Sequence, residues 1–160
     1  MTRSSRREFL GLAGAAAAAA ALASCQLQGR RPTAKVPKSG PLALGVIGVG
    51  GRGWDNLHGV APGETIAALC DVDASHLATA GAEFPQAAQF RDYHEMLAKV
   101  PLDAVVISTP DHTHAPATIA ALRAGLDVYC EKPLTHTIAE AREITAAASW
   151  HRAVTQMGTQ

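Results

Sequence analysis

The sequence predicts a doubly wound α/β domain, a parallel sheet with helices on both faces, over residues 41–160 of a 160-residue chain. Three observations predict it. Short β-branched runs alternate with longer Ala/Leu-rich segments. Those runs are apolar on both faces, as strands buried between two helical layers must be. The first run passes directly into a glycine cluster, Gly48-Val49-Gly50-Gly51-Arg52-Gly53, that opens a helical segment.

Each element has a local reason. Residues 42–47 (Leu-Ala-Leu-Gly-Val-Ile) form the first expected strand, and residues 64–70 the second, closed by Asp71. A short third strand is expected at Gln89-Phe90. Residues 103–108 (Asp-Ala-Val-Val-Ile-Ser) form the clearest run, residues 127–130 a fifth strand and residues 153–157 a sixth. Asp73 is placed to cap the helix after the second strand, and Asp92-x-x-Glu95 and Thr137-x-x-Glu140 have capping-box spacing. Gly125 follows Leu122-Arg123-Ala124 as a helix terminator. In the strand order 3-2-1-4-5-6, Cys70 and Cys130 fall three strand spacings apart, roughly 14 Å, beyond disulfide reach. They are expected to be buried free thiols.

Composition narrows the class. Hydrophobic residues make up 48% and charged residues 18%, which excludes a disordered polyelectrolyte, and three Cys exclude a disulfide-stapled mini-scaffold. Residues 1–40 hold seven of the 14 basic groups and one of the 14 acids. The domain that follows is therefore acidic, a poor match for a phosphate backbone, and no nucleic-acid partner is expected.

Residues 1–24 read as an export signal. Arg6-Arg7 precedes an apolar run, residues 9–23, that is short of the about 20 residues needed to span a bilayer. Leu22-Ala23-Ser24-Cys25 has the form of a lipoprotein cleavage box, so Cys25 is the expected lipid-anchored N-terminus of a periplasmic protein. Residues 25–40, with Pro32 and Pro37, read as a tether.

The glycine cluster has the spacing G-x-G-x-x-G. One glycine permits the tight turn, one lets backbone approach a pyrophosphate, and one allows close helix–strand packing. The helix N-terminus then offers free N–H groups and partial positive charge. Gly48, Gly50, Gly51, Arg52 and Gly53 are therefore candidate cofactor residues. Asp71 ends the second strand eighteen residues past Gly53, where an acid binds the ribose hydroxyls of a dinucleotide and repels a 2′-phosphate. NAD is the expected cofactor, with NADP disfavoured.

A second constellation lies at the ends of the fourth and fifth strands: Ser108-Thr109-Pro110-Asp111-His112-Thr113-His114 and Glu131-Lys132-Pro133. His112 and His114 have no Cys or carboxylate at ligand spacing apart from Asp111, so pocket lining or helix-end packing is preferred over metal binding, and no metal is expected. His58, His76, His94, His136 and His151 show no partner pattern.

Taken together, the G-x-G-x-x-G turn, the Ser-Thr-Pro-x-x-x-His segment and Glu-Lys-Pro resemble the Gfo/Idh/MocA oxidoreductases over residues 42–160. The resemblance implies a Rossmann fold in which Thr109 and Pro110 pass beside the nicotinamide half, Ser108 is a further cofactor-binding residue and His114, also cofactor-binding, occupies the family's histidine position. It places Glu131 and Lys132 by the nicotinamide ribose and substrate, with a Lys132–Pro133 bond that is often cis and Lys132 as the catalytic residue in proton transfer. It also implies a sugar or polyol substrate, a homo-oligomer of the full-length protein, and a second α/β domain beyond Gln160, so that this chain is expected to be either a fragment or a truncated gene product. An NAD-dependent glycosidase and a lipid-anchored dinucleotide- or sugar-binding module remain alternatives; the lysine of Glu-Lys-Pro favours the dehydrogenase.

Overall fold

The computed structural model describes residues 39–159. The expected export signal, Cys25 and all but the last two residues of the tether lie outside them. The elements run β1 (Ala43–Ile47), α1 (Arg52–Val60), β2 (Thr65–Cys70), α2 (Ala74–Glu83), β3 (Ala88–Phe90), α3 (Tyr93–Lys99), β4 (Ala104–Ile107), a 3-10 turn (Asp111–Thr113), α4 (His114–Arg123), β5 (Asp127–Cys130), α5 (Ile138–His151) and β6 (Thr155–Met157). The six strands are all parallel and lie in the order β3-β2-β1-β4-β5-β6, as the sequence predicts.

Strand alternation sorts the apolar side chains into two cores. On one face Leu44, Val46, Ile66, Leu69 and Val106 meet Leu57 of α1 and Leu77 and Ala80 of α2. On the other, Ile47, Cys70, Val105, Ile107 and Val128 meet Met96 of α3, the Ala-rich face of α4 and Ile144 of α5. Right-handed crossovers account for this division: connections moving from β1 towards β3 pass over one face, and those moving from β3 towards β6 pass over the other. Consecutive connections therefore diverge where β1 and β4 lie side by side.

The local signals mostly do what their chemistry requires. Thr137 Oγ1 accepts from Glu140 N–H at 3.2 Å while the Glu140 carboxylate accepts from Thr137 N–H at 2.9 Å, a complete capping box for α5. Asp73 caps α2 through Ser75 N–H at 2.7 Å. Asp92 caps α3 through His94 N–H at 2.8 Å, but Glu95 turns away to pair with Lys99, so the second expected box is only half formed. Gly125 (φ 81°) ends α4, with Leu126 N–H donating back to Ala121 O at 3.1 Å. Cys70 and Cys130 are buried free thiols; burial, then the Asp71 and Asp92 carboxylates, push Cys70 up to about 12, and burial, opposed by Thr118 and aided by Glu131, pushes Cys130 up to about 11.

His58 is not the unpartnered residue its sequence context suggests. Its Nδ1–H donates to Trp54 O at 2.8 Å, and its Nε2 lies 2.7 Å from Glu83 Oε1, joining α1 to α2. The bond to the Trp54 carbonyl, then the bond to Glu83, raise its pKa above 6.5. A raised value means that this stabilisation is complete below the unfolded-state value and is lost as pH rises through the folded one. Urea unfolding of the wild type and Glu83→Gln across pH 5.5–8.5 is expected to show a decline in the wild type that is shallower in the variant; identical slopes would contradict the pairing.

Candidate functional site

β1 runs into a turn that only glycine fits at two points. Gly48 has φ 82°, and a Cβ there would lie 2.8 Å from the Ser108 backbone at the end of β4. A Cβ on Gly53 would lie 2.0 Å from Gly48 O, so the first turn of α1 sits directly on the loop. No side chain caps α1, whose N-cap is Gly51. Gly53 N–H and Trp54 N–H already donate to Gly50 O (2.9 Å) and Gly51 O (3.0 Å), so the N–H groups of Gly50–Arg52 and the positive end of the dipole are what the turn offers an anion.

Beside this turn lies a cleft of about 600 Å³, lined by Gly48, Gly50, Asp71, Thr109 and Pro110 and also by Val72 and Arg91, whose Nη2 donates to Val72 O at 2.7 Å. Asp71 braces it. Its Oδ2 accepts from Val49 N–H at 2.8 Å and its Oδ1 from Asp73 N–H at 2.9 Å, with His76 Nδ1 3.8 Å from Oδ2. Each carboxylate oxygen retains a further lone pair for a ligand hydroxyl. Thr109 Oγ1 is buried without a hydrogen-bond partner among the described residues. A dinucleotide fits this donor and acceptor set: backbone N–H groups at the head of α1 for phosphates, a carboxylate for ribose, and a buried hydroxyl without a partner on the Thr109 wall.

A buried polar network supports the turn from below. Glu131, 6% exposed, presents Oε1 to Asn56 Nδ2 (2.9 Å), Tyr129 OH (3.1 Å) and Arg52 Nε (3.3 Å), all of which donate to it. Asn56 Nδ2 also donates to Ser108 Oγ at 2.8 Å. Burial opposes the charge on Glu131, but the bonds from Asn56, Tyr129 and Arg52 outweigh it and hold the carboxyl below its ordinary value. The network ties α1 to the ends of β4 and β5.

The loops after β4 and β5 are joined twice. Buried His114 has Nδ1 2.7 Å from Pro133 O and Nε2 2.7 Å from Thr109 O. Nearer the surface, His136 Nε2 lies 3.3 Å from Asp111 Oδ2. The backbone N–H of His112, then His136, hold Asp111 below the usual carboxylate range. The Lys132–Pro133 bond is cis.

Of the residues singled out in the sequence, Gly48, Gly50, Asp71, Ser108, Thr109 and Pro110 line the cleft together. Gly51, Arg52 and Gly53 form the start of α1 beside it. Glu131 lies under α1, and His114 is turned into the protein at 2% exposure. Lys132 stands exposed at the end of β5, outside the lining of this cleft. Sequence reasoning missed Asn56, Tyr129, Val72 and Arg91. Arg91 directly follows β3, at the carboxyl edge where such sheets bind ligands, so position alone pointed to it. Asn56 lies one helical turn from Arg52, on the face that β1 requires to be buried.

Fold and site together define a dinucleotide-binding domain. The chain belongs to the Gfo/Idh/MocA oxidoreductase family, whose NAD-binding Rossmann-fold domain matches residues 42–159. It is 38% identical over 109 residues to an inositol 2-dehydrogenase of Rubrobacter xylanophilus, covering 66% of this chain and 31% of that protein. An inositol 2-dehydrogenase of Acidiphilium cryptum is 35% identical over 122 residues, 73% of this chain and 36% of its own length. Among solved structures, myo-inositol 2-dehydrogenase from Lactobacillus plantarum superposes with a TM-score of 0.70 at 30% identity, over 74% of this chain and 36% of that one. The scyllo-inositol dehydrogenase from Lactobacillus casei with bound NAD(H) and scyllo-inositol gives 0.68 at 25% identity, over 74% and 36%. The chain thus spans about a third of the length of the relatives it matches.

The Glu131 network makes a stability prediction. Asn56→Ala removes a donor from a buried carboxylate and is expected to cost about 1–3 kcal/mol in urea unfolding at pH 7. Because the folded-state carboxyl is depressed, its contribution is complete above the ordinary value of 4.5 and is lost as pH falls through the folded one. In Asn56→Ala that acid loss should be smaller and should level off at higher pH, because the folded-state value moves towards the ordinary one; an unchanged acid limb would contradict the network.

Proposed function

We propose that this chain is the cofactor-binding part of an NAD-dependent dehydrogenase that oxidises a ring polyol of the inositol type. The observation that carries the reading is the cleft beside β1 and β4, where the Gly48–Gly53 turn, Asp71 and Thr109 face one cavity. The chemistry that NAD supplies when bound is acceptance of a hydride from the carbinol carbon. The chain's own residues bind and orient. Backbone N–H groups at the start of α1 take the pyrophosphate, Asp71 accepts from the adenine-ribose hydroxyls, and Val72 and Arg91 flank the base. Thr109 and Pro110 form the shelf for the nicotinamide half. Lys132 takes the proton that leaves the substrate hydroxyl oxygen as the carbonyl forms. The names of the inositol dehydrogenase relatives support the substrate class.

Asp71 also carries the choice of NAD over NADP, because a carboxylate opposes a 2′-phosphate. Charged-acceptor hydrogen bonds contribute roughly 1.5–3 kcal/mol each. Asp71→Ala is therefore expected to weaken NAD binding by roughly 10- to 100-fold and to narrow the gap to NADP in calorimetric titration. Tighter binding of NADP than NAD by the wild type would overturn the assignment.

Export and anchoring are part of the same proposal, supported by Arg6-Arg7 and the Leu22-Ala23-Ser24-Cys25 box. Cys25→Ala is expected to abolish signal cleavage and move the protein out of the lipid-modified membrane fraction. A wild-type protein found soluble, with its N-terminus elsewhere, would contradict the anchor.

A further inference from the structure

His114 is deeply buried next to the cleft, at 2% exposure, and does not line the cavity. Both ring nitrogens lie at 2.7 Å from backbone carbonyl oxygens, Nδ1 from Pro133 O and Nε2 from Thr109 O. Carbonyls only accept, so a neutral ring donates its single N–H to one of them and a doubly protonated ring donates to both. In either form the imidazole fills the space between two segments nineteen and five residues away in sequence. Those segments are the loops leaving β5 and β4, neighbouring strands whose register is fixed from Ala104↔Asp127 to Ile107↔Cys130. Beyond that ladder the two loops are joined by His114 and, nearer the surface, by the His136–Asp111 pair. His114 begins α4, so this strut is mounted on a helix packed against the sheet.

We propose that His114 is a positioning residue that sets the spacing between the Thr109–Pro110 shelf and Lys132, acting through the carbonyls of Thr109 and Pro133 and without touching cofactor. This rests on the reading of the cleft as a dinucleotide site and assigns the strut to its nicotinamide half alone. The adenosine half is built on Asp71, Val72 and Arg91, which belong to β2, β3 and their loops. His114 makes no hydrogen bond there.

The division gives a direct test on the full chain, using AMP as a probe of the adenosine half and NAD as a probe of both. In calorimetric titration, His114→Asn is expected to bind AMP within about twofold of wild type and NAD about tenfold more weakly, the effect of one buried hydrogen bond. NAD affinity unchanged, or AMP and NAD weakened in parallel, would overturn the proposal. Wild-type protein that binds neither ligand would overturn the dinucleotide reading and the strut with it. A second measurement needs no variant: NMR of the wild type should show a slowly exchanging His114 ring N–H with contacts to both Thr109 and Pro133. A ring that exchanges freely, or that contacts only one loop, would overturn the proposal.

Discussion

The handedness of the crossover connections governs the rest of this structure. β1 and β4 pair in parallel from Leu44↔Ala104 to Ile47↔Ile107, yet the chain leaves them towards opposite faces of the sheet. Two neighbouring strand ends whose chains part in this way must leave a crevice between them. The residues that line the cleft answer to that crevice. The glycine turn narrows it, since Gly48 touches the Ser108 backbone, and Asp71 closes its side by holding Val49 N–H. The loops after β4 and β5 extend its far wall.

The crevice is useful only if its walls stay fixed, and polar side chains buried behind them supply that rigidity. Glu131 fastens α1 to β5 through Asn56, Tyr129 and Arg52, and Asn56 reaches Ser108 just past the end of β4 with the same amide group. A buried carboxylate that lost these donors would be costly, so the network holds α1 and both strand ends in one arrangement. His114 does the same for the loops further out. Neither group has to meet a ligand to matter to binding, because both determine where the ligand-facing backbone lies.

The sheet and its connections were legible because they depend on local chemistry. Apolar runs marked β1, β2, β4 and β5, and Asp73, Thr137 and Gly125 capped or ended helices as short-range rules require. Of the cleft, Gly48, Gly50, Asp71 and Thr109 were legible from motif spacing, since backbone conformation and strand ends are local properties. The half-formed box at Asp92 shows the limit even there: Glu95 had a competing partner in Lys99 one turn on. The supporting network was not legible. Asn56 and Glu131 are 75 residues apart, His58 and Glu83 are 25 apart, and His114 and Pro133 are 19 apart. No periodicity in the sequence encodes which polar side chains meet once the helices dock. Glu131 and His114 were found as residues of a motif, but what they touch emerged only from the fold.

The central claim is that the crevice between β1 and β4 is where a dinucleotide binds. The most direct measurement is a titration of the isotope-labelled full chain with NAD, following every backbone amide by NMR. Shifts concentrated at Val49–Gly53, Asp71–Asp73 and Thr109, with the β6 edge unmoved, are the predicted result. Saturable shifts centred on β6 or on the outer faces of α4 and α5, with the glycine turn silent, would contradict the account.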